Sequence, residues 1–350
     1  MAVNLASSVT SFLIAFVVLP LIIRYMMRNK ILDAPDSRKV HKVSTPSLGG
    51  IAIFAGFMLS TLVFMDFSHW DNMRYILASL FLVFLIGVRD DVVPFKATHK
   101  LFGQLVAIAV LCISTVRIDS FYGLLGIETL PAWVSYGLTG FSIVIITNAF
   151  NLIDGLDGLA GSVGLVALGA FGIWFYAVDD LVFSMMCFSL IGGILAFLIY
   201  NWQPAVIFMG DTGAMVIGMM LSILAIRFMN VNAGLPDENP WQYNAPIATA
   251  ASFIIVPLTD TLRIIILRLS RGQSPFKADK SHIHHALMGN GYTHGETALI
   301  LAAVSTIFVV LAWVCRDYSD KWLIPAIVVS AALFGFLVGK IKFKKSLTAN

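Results

Sequence analysis

Polar side chains recur every three residues in the stretch Asn148-Ala-Phe-Asn151-Leu-Ile-Asp154-Gly-Leu-Asp157-Gly158. Apolar runs of membrane-crossing length flank it on both sides. Amides and carboxylates in such surroundings are costly to bury and mark ion or substrate paths. On a helix, residues three apart share a face, so the four groups could form one polar stripe. Gly155 and Gly158 follow the two aspartates, where the backbone can turn or approach a ligand closely. A pair of Asp-Gly turns joining two helices is the plain alternative, but it leaves the two asparagines unexplained.

Asp90-Asp91 and Asp211, the latter in Phe208-Met-Gly-Asp-Thr-Gly213, add three further carboxylates. If all five converge, repulsion raises some of their pKa values unless cations compensate. A hard divalent cation is the natural compensator, and Mg2+ takes one or two carboxylates and completes its shell with water and substrate phosphates. Lys42, Lys100, Arg268 and the histidines His282, His284 and His285 could hold the remaining phosphate charge. Carboxylates, a metal and a basic rim suggest phosphoryl transfer, in which catalysis is mostly positioning and electrostatics.

Each motif also has a structural reading. Asp90-Asp91 could be a charged loop edge, and Asp211 could simply cap a helix. The histidines come without cysteines or an HExxH pattern, so zinc is not expected. Asp260 and Arg263, three apart in an apolar run, are expected to pair. Cys112, Cys187 and Cys315 show no C-x-x-C spacing and read as packing residues.

The elements that must position these groups are membrane helices. Hydrophobic residues make up 58% of the 350-residue chain, charged residues 12%, and the mean hydropathy is +0.86. Soluble domains are about 25% charged. A formal net charge of +3 gives no reason to expect nucleic acid binding. With about 20 apolar residues per span, eleven segments qualify, near 5–27, 47–65, 73–88, 101–116, 132–150, 158–178, 181–200, 211–228, 245–267, 297–315 and 322–340. The expected fold is all-α, a single polytopic unit over residues 1–350. The N-terminus reads as a true first span rather than a cleaved signal.

Of 23 Lys and Arg residues, 18 fall on the odd-numbered connections and the C-terminal tail. Only Arg74, Arg117, Arg227, Arg316 and Lys321 fall opposite. The positive-inside rule therefore puts the odd side in the cytoplasm, the N-terminus outside and the C-terminus inside. Every unusual polar cluster lies on that cytoplasmic side, in loops near 28–46, 89–100, 148–158, 201–211 and 268–296.

Six motifs in this order carry a resemblance that spans nearly the whole chain. They are Lys42-Val-Ser-Thr-Pro-Ser-Leu-Gly-Gly50, Asp90-Asp91, Lys100-Leu-Phe-Gly-Gln104, the Asn148–Gly158 stretch, Phe208-Met-Gly-Asp211 and His282-Ile-His-His285. The chain resembles the polyprenyl-phosphate N-acetylhexosamine-1-phosphate transferases, the superfamily that contains the peptidoglycan translocase. Ile283 interrupts the three consecutive histidines of the translocase, which places the resemblance nearest the bacterial undecaprenyl-phosphate GlcNAc-1-phosphate transferases. The resemblance implies transfer of GlcNAc-1-phosphate from UDP-GlcNAc to undecaprenyl phosphate with release of UMP, opening a cell-envelope polysaccharide pathway at the bacterial inner membrane. It implies Mg2+, with Mn2+ as the alternative, and metal contacts at Asp211 and Asn151. It assigns catalytic roles to Asp90, Asp91, Asp154 and Asp157. Substrate contacts fall to Lys42, Lys100, Asn148, Asn201, Arg268, His282, His284 and His285. UDP-GlcNAc, undecaprenyl phosphate and the bilayer are the implied partners, and a homodimer stays open as an alternative to the monomer. Another UDP-N-acetylhexosamine is the alternative donor.

From a different class, a cation or solute transporter would place its site near the bilayer midplane, and no internal repeat supports it. A CDP-alcohol phosphotransferase would continue its Asp-Gly pairs with further aspartates, which the stretch from Gly164 to Trp174 lacks.

Overall fold

The computed structural model describes residues 1–29, 45–270, 272–274 and 282–340. Apart from the single bridge residue Thr45, regular structure among them is helical. Thirteen α-helices follow one another: α1 (Ala2–Asn29), α2 (Gly49–Phe64), α3 (Trp70–Val92), α4 (Ala97–Leu111), α5 (Ala132–Ile153), α6 (Leu159–Ala177), α7 (Leu181–Asn201), α8 (Gly210–Ala233), α9 (Pro246–Phe253), α10 (Ile255–Ser270), α11 (Ile283–Gly289), α12 (His294–Val314) and α13 (Asp320–Lys340).

The polytopic, all-α expectation holds, while the count of spans is smaller on length and composition. Seven helices are long and apolar enough to cross a membrane: α1, α5, α6, α7, α8, α12 and α13. The α9–α10 pair makes an eighth if it is one span, bent by 88°. Pro257 explains the bend, because it has no N–H for the Phe253 carbonyl and its ring clashes there. The new helix therefore starts just upstream, with Pro257 in its first turn, where proline is tolerated. The apolar helices α2 and α4 are shorter, and α3 carries Asp71 and Arg74 at one end and Arg89, Asp90 and Asp91 at the other.

Helix α8 is the axis of the bundle. It packs against α2, α3, α5, α6 and α9, and 83% of its most apolar window is buried. Close backbone approach sets these contacts. A Cβ on Gly87 of α3 would sit 2.5 Å from the Thr212 Cα, and one on Gly50 of α2 would sit 2.1 Å from the Gly213 nitrogen. Both encounters are with main chain, which cannot rotate away.

The segment before α2 is stitched to the segment before α8. The Phe208 amide donates to the Pro46 carbonyl at 2.7 Å, and the Gly49 and Gly50 amides donate to Phe208 and Met209 carbonyls, each at 2.9 Å. Residues 46–50 and 208–209 thus form one piece of structure at the start of α8. Far along the same helix, Phe171, Trp174, Phe228 and Phe253 interlock as an aromatic core.

Gly87→Ala is expected to destabilise by about 1–3 kcal/mol, the usual range for overpacking. Gly169→Ala in α6 meets open space and gains up to about 1 kcal/mol of helix propensity. Thermal unfolding in detergent separates the two, and equal melting temperatures would contradict this packing.

Candidate active site

The site is built at the N-terminus of α8. Gly210 begins the helix with φ of 72°, a left-handed conformation that glycine adopts at little cost. A side chain there is also excluded by the Ser47 carbonyl, 2.0 Å from where a Cβ would stand. Gly87 lets α3 lie against this end, and Asp91 follows it one turn later. The Asp91 carboxylate takes the Asp211 amide at 2.8 Å, the Thr212 amide at 2.9 Å and the Thr212 hydroxyl at 2.5 Å. Both its oxygens therefore cap α8 from a neighbouring helix.

Asp211 projects beside this cap. One of its oxygens, Oδ1, receives the Lys100 ammonium at 2.8 Å and the Asn151 amide nitrogen. Lys100, near the start of α4, also reaches Asp90 Oδ2 at 3.1 Å, while Asp90 Oδ1 accepts the Phe95 amide at 2.6 Å. The Asp211 side chain is 29% exposed and that of Asp90 only 9%. One turn after Lys100, Gln104 accepts a hydrogen bond from Asn148 at 3.0 Å. Lys100, Asp90, Asp211, Asn151, Asn148 and Gln104 are thus joined through α3, α4, α5 and α8.

Asp154 lies just past the end of α5, half-buried. Desolvation, then the charges of Asp211 and Asp91, push its carboxyl up to about 8. Asp157 turns elsewhere: it is buried, its Oδ2 accepts the Ala205 amide at 3.1 Å, and it lies 3.4 Å from His294 Nδ1. Asn201 is likewise buried and is used at both ends, accepting from the Gly158 amide at 2.8 Å and donating to the Ile207 carbonyl at 2.9 Å. Asp157 and Asn201, expected from the sequence at the catalytic and substrate-binding positions, brace the loop that leads to α8.

The histidine segment arrives from α10 and α11. His282, His284 and Arg268 are buried, and the ring of His285 lies 4.4 Å from that of His284. Burial pushes the His284 imidazole down to about 3, so it is neutral. Asp260 does not stand apart as an element of α10 alone: it accepts from His282 Nδ1 at 2.8 Å and from the Ile283 amide at 2.6 Å. Lys42 lies outside the described residues.

Sequence reasoning gave no site role to Asp260, His294 or Thr212, and named Gln104 only as the end of a motif. Gln104 was legible from its i, i+4 relation to Lys100. His294 has no comparable signal, since it is simply the first residue of a helix opened by the Thr293/Glu296 capping box.

Asp90 and Asp211 share Lys100, and Asp91 and Asp154 lie near enough to Asp211 for their charges to act on one another. The donor set is hard oxygen in excess negative charge, which fits a divalent cation such as Mg2+. Without a cation the crowding makes folding pH-dependent. The native Asp154 carboxyl keeps its proton to about pH 8, and an unfolded one releases it near pH 4. Between those values the native state binds more protons, so stability falls as pH rises from about 4 to about 8 and levels off above. In EDTA, Asp154→Asn is expected to reduce the fall in melting temperature between pH 5 and pH 8, and an unchanged fall would refute the assignment.

The sequence profile of the family described as "Glycosyl transferase family 4" matches residues 73–229, which include Asp90, Asp91, Lys100, Asn151, Asp154 and Asp211. A Bacillus subtilis protein named "Probable undecaprenyl-phosphate N-acetylglucosaminyl 1-phosphate transferase" is 31% identical, with 95% of this chain and 90% of the relative aligned. The "Undecaprenyl-phosphate alpha-N-acetylglucosaminyl 1-phosphate transferase" of Yersinia pestis is 28% identical over 88% of this chain and 84% of its own. The "Decaprenyl-phosphate N-acetylglucosaminephosphotransferase" of Mycobacterium tuberculosis is 33% identical over 76% and 71%. Similarity of this extent, running through the residues gathered at the start of α8, makes the chain a member of glycosyl transferase family 4.

Proposed function

We propose that this protein transfers GlcNAc-1-phosphate from UDP-GlcNAc to undecaprenyl phosphate, yielding undecaprenyl-diphospho-GlcNAc and UMP. The observation that carries the reading is the partly exposed Asp211 carboxylate, fixed by Lys100 and Asn151 at a capped helix N-terminus amid excess negative charge. The names of the relatives supply the donor and acceptor.

Asp211 and Asn151 would hold Mg2+, with Asp154 beside them. The ion, when bound, supplies charge neutralisation for the donor pyrophosphate. An oxygen of the lipid phosphate attacks the β-phosphorus of UDP-GlcNAc. The bond from that phosphorus to the bridging oxygen breaks, and UMP departs with the electron pair. A phosphate monoester has a second pKa near 6, so the attacking group needs little help from a base at pH 7. Asp90, which already receives the Phe95 amide and the Lys100 ammonium, serves to orient Lys100 toward the transferring phosphoryl group. Asp91 sets the position of Asp211 through the α8 cap. Asn148 steadies the same stripe through Gln104. Arg268, His282, His284 and His285 form the donor side of the site, and the family motif would give Lys42 a substrate contact.

In this reading α2, α3, α4 and the bent α9–α10 pair also cross, giving eleven spans in one catalytic unit. The N-terminus faces outward and the site opens to the cytoplasm, where the soluble donor is found. The bias of 18 among 23 basic residues supports that orientation. The membrane is the bacterial inner membrane.

Purified protein is expected to release UMP from UDP-GlcNAc only with both undecaprenyl phosphate and a divalent cation, and EDTA should abolish the release. Asp211→Asn should lower kcat by about 10²–10³, the scale of losing one preorganised electrostatic contact. UMP formation that survives in Asp211→Asn, or that needs no lipid phosphate, would overturn the proposal.

A further inference from the structure

Asp260 lies in α10, below the bend, with its carboxylate buried. It grips the start of α11 twice, through the His282 ring at 2.8 Å and the Ile283 main-chain amide at 2.6 Å. The same Oδ2 lies 3.7 Å from His284 Nδ1. The His282 and His284 rings stack, with centroids 5.2 Å apart and 17° between planes. On its far edge, His284 Nε2 reaches Gly155, where a Cβ would stand only 3.0 Å from it. Asp260, two imidazoles and the Asp154-Gly155 turn therefore form a continuous stack from α10 to the end of α5.

We propose that Asp260 is a positioning residue for the UDP-sugar side of the site, acting through His282 and the Ile283 amide to dock the histidine segment on the Asp154-Gly155 turn. The inference rests on the transferase reading above. A carboxylate that receives Nδ1–H fixes an imidazole's tautomer and orientation, leaving Nε2 for the ligand. Its second oxygen supplies an orphan helix amide with an acceptor. An asparagine in its place has only one oxygen, so one of the two donors loses its partner or faces an NH2 group. The effect belongs to the donor, because the lysine and carboxylates nearer α8 do not touch Asp260.

The ligand atoms of Asp260, His282 and His284 all lie within 4.8 Å of one another, which makes a bound metal the competing account. The direct hydrogen bonds of both carboxylate oxygens favour docking.

The test compares Asp260→Asn with wild type by steady-state kinetics, amide hydrogen exchange and metal content. The expected result is a rise of about tenfold in KM for UDP-GlcNAc, with KM for undecaprenyl phosphate changed less than twofold, and lost exchange protection over Ile283–Gly289. His282→Asn, which keeps an N–H near the Nδ1 position, should raise the same KM, and the double variant should fall short of the product of the two single effects. Asp320→Asn provides a structural comparison. That buried carboxylate accepts the Ile247 and Ala248 amides at 3.2 and 2.7 Å, and its loss should lower melting temperature while leaving KM for UDP-GlcNAc unchanged.

An active Asp260→Asn variant with unchanged KM for UDP-GlcNAc, or strictly multiplicative effects in the double variant, overturns the inference and spares the transferase reading. Stoichiometric zinc in wild type that is lost in Asp260→Asn overturns it in favour of a metal site. Wild type that releases no UMP from any UDP-sugar overturns the transferase reading instead; unchanged protection over Ile283–Gly289 then overturns the docking role as well.

Discussion

The cap that Asp91 places on α8 is the interaction on which the site depends. A helix N-terminus leaves several amides without partners and carries partial positive charge. Here the partner comes from another helix rather than from the residue just before α8. That choice couples two helices at a fixed distance and in a fixed rotation. It also frees Asp211, the local candidate for capping, to project its carboxylate toward Lys100 and Asn151. The glycines at 50, 87 and 210 belong to the same arrangement, since each lies where a side chain would strike main chain or the Asp91 carboxylate.

Fixing four carboxylates near one another, with one ammonium shared by two of them, opposes folding. Like charges at a few ångströms repel strongly when water is partly excluded. The protein offsets this in three ways visible in the geometry. Asp91 accepts two main-chain amides and a hydroxyl, Asp90 and Asp211 share Lys100, and Asp154 sits high enough in pKa to stay protonated. The third is the least stable solution, because it lasts only while no cation competes for the carboxylate.

Much of the site was legible in the sequence because the relevant signals are local. The three-residue spacing of Asn148, Asn151 and Asp154 does put two amides on one face of α5 with the aspartate at its end. The equivalence broke down at Asp157, for a physical reason: the helix stops at Ile153, so the helical period no longer governs where Asp157 points. It faces His294, some 137 residues away in the chain. Asn201, at the end of α7, bonds the Gly158 amide and the Ile207 carbonyl, a loop-bracing role for which its sequence context carries no signal. Hydropathy located every long helix, and the segments that fall short of a full span by length and composition are α2 and α4, which are short, α3, which is charged at both ends, and the ninth apolar run, which breaks at Pro257.

Asp260 shows why such partnerships escape sequence patterns. Its neighbour Arg263 lies one helical turn away, and the expected pairing follows from that proximity alone. The carboxylate instead binds a residue 22 positions later and the main chain 23 positions later. Burial decides the matter. An exposed carboxylate gains little from any single ion pair, but a buried one must have its lone pairs occupied. Two well-placed donors at the start of α11 meet that demand. Because those donors belong to the histidine segment, the requirement to satisfy a buried charge also fixes where the imidazoles stand relative to Asp154. Folding and site geometry are then set by the same two hydrogen bonds, so the segment cannot shift away from the carboxylates without exposing an unsatisfied charge in α10.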